Sequence, residues 1–150
     1  MNKNFFGPFF FGIGIIGMPD GIIFHQLLQW HSIYMHTDRY HQVASDGWFH
    51  LFATATIFLA GILLWKAEHH KANSSYFWGS FLLGAGIFNF IEGIVNHHLL
   101  EIHHVKPGKY ELTADLLFDA SGLMLILIGW LLLKKAADKM KTDPIGNASD

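Results

Sequence analysis

Two histidines and an acid recur at one spacing in two parts of this 150-residue chain: Asp20, His25 and His31, then Glu92, His97 and His103. Imidazole nitrogen and carboxylate oxygen are the donor atoms of iron, zinc, manganese and copper(II) sites, and they also hold protons. Cysteine is absent, which excludes disulfides, thiolate ligands and a cysteine nucleophile. Ser32, Ser45 and Ser121 have no triad partners in sequence, which argues against a serine hydrolase.

The repeated acid and histidines belong to a longer internal repeat. Residues 12–31 align without a gap on 84–103 with 9 identities in 20 positions. The identities include Gly12, Gly14, Gly21 and Gly84, Gly86, Gly93. Repeats of this kind point to a duplicated structural unit. Further on, Asp46, Phe49 and His50 correspond by spacing to Asp115, Phe118 and Asp119.

The elements that position these residues follow from composition. The chain is 51% hydrophobic and 15% charged. Four apolar stretches, about residues 5–30, 48–65, 76–100 and 114–133, approach or exceed the roughly 18–20 residues of a membrane-spanning helix. The expectation is an all-α integral membrane four-helix bundle of two parallel-repeat hairpins. Residues 1–135 form the transmembrane domain, with repeats at about 5–66 and 76–135, and 136–150 form a polar, mobile cytoplasmic tail. The first stretch lacks a small-residue cleavage site and runs into the repeat, so it reads as a helix of the mature protein.

Lys3, Lys66, Lys71, Lys134, Lys135, Lys139 and Lys141 fall on one side of these helices, and Arg39, Lys106 and Lys109 on the other. This asymmetry places both termini in the cytoplasm. Trp30 and Trp48 then mark the outer interface, and Trp65, Trp78 and Trp130 the inner one. The sequons at Asn73 and Asn147 lie on the cytoplasmic side, where glycosylation is not expected. A net charge of −2 gives no nucleic-acid signature. The expected partners are the lipid bilayer and a second copy or another membrane protein.

Counting along each helix at about 1.5 Å per residue gives depth. Asp20 lies about 18 Å and His25 about 25 Å from the inner end of the first helix. On the second, His50 is at about 22 Å and Asp46 at about 28 Å. Glu92 and His97 stand at about 24 and 31 Å on the third, and Asp119 and Asp115 at about 21 and 27 Å on the fourth. Every helix brings acids or histidines to the same outer half. Each ionised group there costs roughly 2.5–3.5 kcal/mol to insert. The layer contains no Lys or Arg, so protons or a divalent cation must neutralise it.

Phase presents a difficulty. Asp46 and His50 share a helix face, as do Asp115 and Asp119. Glu92 and Asn96 share another, with Asn89 one turn below. Asp20 and His31, eleven apart, share a stripe if the helix persists, as do Glu92 and His103. Asp20 and His25, five apart, are about 140° apart on an α-helix. A kink at Pro19 or a π-bulge would bring them into line. Otherwise His25 and His97 support the ligands or serve a second site.

The glycines have the small-residue spacing of close helix contacts between the two first helices of the repeats. Lys106-Pro107-Gly108 reads as the turn before the fourth helix. His36 and His41 read as interfacial histidines. His98, His104, Asp38 and Glu101 are placed to gather metal from outside, and His69 and His70 read as a solvated loop.

Three segments carry a family resemblance: Asp20-Gly21-Ile22-Ile23-Phe24-His25-Gln26-Leu27-Leu28-Gln29-Trp30-His31, Asp46-Gly47-Trp48-Phe49-His50, and Asn89 to Gly108. Over nearly the whole chain to about residue 135 it resembles a bacterial family of predicted four-helix membrane proteins catalogued as a domain of unknown function. The resemblance implies a bacterial plasma-membrane protein. It brings no activity or cofactor, so roles must come from the residues.

The residues point to a transition-metal site, with iron or zinc ahead of copper, and dinuclear if each repeat supplies one ligand set. Asp20, His25, His50, Glu92, His97 and Asp119 are candidate ligands or their supports. Asp46, Asp115, His31 and His103 complete the site or line its approach. A redox enzyme is the leading reading. Metal delivery to a membrane enzyme and metal-dependent membrane hydrolysis are the alternatives, and a proton-holding polar layer is the metal-free one. Bis-histidine haem would be costly among five carboxylates.

Overall fold

The computed structural model describes residues 2–67 and 73–142. His69, His70, Lys71 and Asn147 lie outside them. Among the described residues there are four helices long and apolar enough to cross a membrane, and no strand. Helix α1 (Lys3–Asp20) continues as a first π-helix (Gly21–Leu27), followed by α2 (Arg39–Trp65). Helix α3 (Ser74–Glu92) continues as a second π-helix (Gly93–Leu99), followed by α4 (Glu111–Thr142). Asp38 caps α2 by accepting from the His41 backbone N–H at 3.1 Å, and Asn73 caps α3 by accepting from Ser75 at 2.8 Å. Gly108, at φ 117°, makes the turn before α4.

Helix ends do not follow the apolar stretches here: α4 does not stop with its apolar stretch but runs on through Thr142. Lys134 to Lys141 is built mostly of Lys, Ala and Met, which are good helix formers and sustain the helix beyond its apolar stretch. The helix carrying His25 does not persist to His31 either. It ends at Leu27, and His31 lies in the loop.

Helices α1 and α3 form the central pair, with α2 packed on α1 and α4 on α3. Glycine sets the central crossing. A Cβ on Gly12 would overlap the carbonyl oxygen of Phe81, and one on Gly84 would overlap that of Phe9. Gly14 faces Ile57 and Ala53 of α2, while Gly86 faces Ile126 and Gly122 of α4. In lipid no hydrophobic force draws helices together, so close backbone approach through small residues provides the packing.

The interior is correspondingly unusual. Its buried hydrophobic residues are small for the most part, Ala53, Ala60 and Ala85 among them. The largest fully buried side chains include His25, His97, Asp46 and Asp115. Large apolar residues such as Leu51, Phe58, Leu117 and Leu127 are exposed, as expected where lipid is the solvent.

Replacing Gly12 or Gly84 with Leu should therefore destabilise the protein by about 1–3 kcal/mol or more. Gly47 meets nothing within 4 Å, so Gly47→Ala should be neutral or stabilising by at most about 1 kcal/mol. Thermal unfolding in detergent, followed by circular dichroism, checks both. Equal stability of Gly12→Leu and wild type would show that the α1–α3 contact does not hold the fold.

Candidate metal centre

The π-helices resolve the phase difficulty. A π-helix bonds i to i+5 and winds more slowly than an α-helix, so residues five apart come much nearer to one face. The Leu28 N–H donates to Ile23 O at 2.8 Å, and the Leu100 N–H to Val95 O at 2.8 Å. His25 Nε2 is thereby brought to 3.4 Å from Asp20 Oδ2, and His97 Nε2 to 3.8 Å from Glu92 Oε1. Pro19 is not the cause, because Ile91 holds the matching place before the second π-helix. Just beyond each π-helix a non-glycine residue is left-handed, Gln29 at φ 51° and Glu101 at φ 48°. That reversal returns His31 and His103 to the interior.

Two groups result, Asp20–His25–His31 and Glu92–His97–His103. Within each, one donor atom per residue lies within 4.8 Å of the others. All four histidines are at most 4% exposed. The groups touch, since the His31 and His103 rings stack with centroids 4.8 Å apart and an interplanar angle of 3°.

Hydrogen bonds fix which ring nitrogen faces inward. The His31 Nδ1–H donates to Val105 O at 2.8 Å, and the His103 Nδ1–H donates to Ile33 O at 3.0 Å. A carbonyl only accepts, so the proton is on Nδ1 in both rings. The His25 Nδ1–H donates to Asp46 at 2.9 Å. Nε2 of His25 and of His103 must then face a carboxylate, His103 at 3.0 Å from Glu92 Oε1. A lone pair against a carboxylate oxygen is repulsive unless a proton or metal ion lies between them. His25 Nε2 and both ring nitrogens of His97 are buried without a hydrogen-bond partner.

Asp46 and Asp115 brace the loops. Asp46 accepts from the Ile33 N–H, and Asp115 from the Val105 N–H, both at 2.9 Å. Asp115 Oδ1 is also 3.6 Å from His97 Nδ1. Carboxylates and carbonyls behind imidazoles are the usual orienting partners of metal-ligating histidine. Asn96 donates to Glu92 at 3.0 Å, as their shared face implied.

His50 and Asp119 stand apart from the two groups. His50 Nε2 would lie 2.6 Å from a Cβ on Gly21, and Asp119 Oδ1 would overlap one on Gly93. Both atoms are buried without a partner. Asn89 is not in the centre; it donates to Phe118 O and Ser121 of α4.

The outer histidines His98 and His104, read from the sequence as placed to gather metal, hydrogen-bond buried acids of the fourth helix. His98 Nε2–H donates to Asp119, and His104 Nδ1–H to Asp115, both at 2.8 Å. The carbonyls of Ile33 and Val105 were missed, although the repeat's 72-residue offset extends to them. His36 donates to Glu101 O at 2.7 Å on the exposed surface, and His41 pairs with Asp38 at 2.6 Å. Neither belongs to the centre.

The model of a family described as "Predicted membrane protein (DUF2243)" matches residues 7–136, and the chain belongs to that family. No curated protein and no solved structure matches it.

His31, in the loop outside the spanning helices, is pushed down to about 3 by burial first, then by repulsion from His103 and His25. Folded His31 thus stays neutral where the unfolded histidine, at 6.5, takes up a proton. Stability contributed by neutral His31 is complete above pH 6.5 and is lost as pH falls toward about 3. In metal-free protein, His31→Asn should flatten the fall of the thermal midpoint across that window. An unchanged slope would show that His31 is not held neutral.

Proposed function

We propose that this protein is an integral membrane metalloprotein whose paired His/carboxylate groups bind two iron ions and act in a redox reaction. One observation carries the reading. Each repeat presents two histidines and one carboxylate around a buried point, with Nδ1–H of His25, His31 and His103 committed behind the rings. Two histidines and one carboxylate with open positions are the donor set of non-haem iron(II). Helix bundles commonly build two-metal sites from such residues.

In this reading the two hairpins are parallel repeats related by an axis along the membrane normal, with both termini cytoplasmic. The centre then lies in the outer half of a bacterial plasma membrane. Asp20, His25 and His31 hold one ion, while Glu92, His97 and His103 hold the other. Asp46, Asp115 and the carbonyls of Ile33 and Val105 aim the imidazoles. His50 and Asp119 face the same layer and support it. Iron bound there supplies one-electron chemistry to a small or lipophilic substrate arriving from the outer leaflet.

Elemental analysis of protein purified without added metal tests this. The expected result is about two irons per chain, with visible absorption that responds to dithionite. Glu92→Ala and His31→Ala should each lose iron. Zinc in iron's place would favour metal-activated water, as in a membrane hydrolase. A single exchangeable copper or zinc would favour metal delivery. Absence of any metal, with Glu92→Ala as stable as wild type, would leave a proton-holding layer.

A further inference from the structure

The two halves of the centre match closely, and their differences are concentrated on one side. His104 stands where the first half has Ser32, 72 residues earlier, and Glu111 where it has Gln42, 69 residues before. Both replacements introduce a metal-binding side chain next to the braces of the second group.

Their geometry is directed. His104 donates from Nδ1 to Asp115 Oδ2 at 2.8 Å, which turns Nε2 outward. That Nε2 lies 3.4 Å from Glu111 Oε1. The two side chains are 26% and 38% exposed, so this pair of donor atoms meets solvent. Asp115, only 1% exposed, stands between this pair and the interior. Its other oxygen is 3.6 Å from Nδ1 of His97, a ring buried with neither nitrogen bonded. Asp115, which also accepts from the Val105 N–H at 2.9 Å, thus links the partly exposed His104–Glu111 pair to the second group. In the first half the matching places hold Ser32 and Gln42, which are poor cation ligands.

We propose that His104 and Glu111, braced by Asp115, form a surface port that captures a divalent cation and passes it to Glu92, His97 and His103. The port rests on the reading of those residues as a metal centre. It makes the second group the first to fill, with the Asp20 group loaded through it across the stacked His31 and His103 rings. A port holds its ion weakly through few ligands, whereas the interior holds it through more, so transfer runs inward.

The test is the rate of cobalt(II) loading into metal-stripped full-length protein in detergent, followed by the visible absorption of the bound ion. Wild type should load to its full stoichiometry. Glu111→Gln and His104→Ala should reach the same final absorbance about tenfold more slowly. Ser32→Ala and Gln42→Ala, on the other half, should load at the wild-type rate. Equal rates for Glu111→Gln, His104→Ala and wild type would overturn the port and leave the metal centre standing. A lower final absorbance in Glu111→Gln would also overturn it, by making Glu111 a ligand of the resident ion. Failure of wild type to bind cobalt would instead overturn the metal centre itself.

Discussion

Buried carboxylates and imidazoles have to be kept neutral among four helices long and apolar enough to cross a membrane, and among the described residues no lysine or arginine is buried with them. That requirement orders the rest of the structure. Every buried acid of the centre stands beside an imidazole, and the ring nitrogens that must lose water are turned to an acceptor or to one another's acid. Asp46 and Asp115 serve twice, bonding a histidine region and a loop N–H at once. Burying an ionised group without such partners would cost several kcal/mol. Nε2 of His25 and both ring nitrogens of His97 are left without a hydrogen-bond partner, each in a group that could hold a metal ion.

Geometry is bought locally with unfavourable backbone. The π-helices lengthen the helical turn so that acid and histidine five residues apart face one point. Gln29 and Glu101 then occupy the left-handed region, where a non-glycine residue costs about 1–3 kcal/mol. The strain is retained because the loops are tied across the centre. His31 is bonded to Val105 in the opposite loop, and His103 to Ile33. Met35 N–H donates to Ile102 O at 3.0 Å, and the Lys106 ammonium sits 4.7 Å over the Trp30 ring. Each loop thus holds the other closed over the buried histidines.

Much of this was legible in the residues. The internal repeat matched Asp20, His25 and His31 to Glu92, His97 and His103, and the fold gathers each set around one point. The glycine spacing foretold the α1–α3 contact, because only glycine permits such an approach. Helix ends were less legible. Lys134–Thr142 is polar yet helical, since helix propensity does not depend on apolar content. His31 and His103 would share a stripe with Asp20 and Glu92 only if the helices persisted; they reach the centre from loops instead, because a reversal at Gln29 and Glu101 has no signature in those residue types.

The amino-acid sequence by itself determined the membrane-spanning class, the repeated Asp/Glu–His–His set and the absence of a counter-charge, since these depend on composition and spacing along one dimension. Tertiary structure decided which histidines meet, which ring nitrogen faces inward and that the two sets touch. Those choices depend on carbonyls 70 and 74 positions away and on carboxylates of the neighbouring helix, brought into place by packing, and no local pattern specifies them.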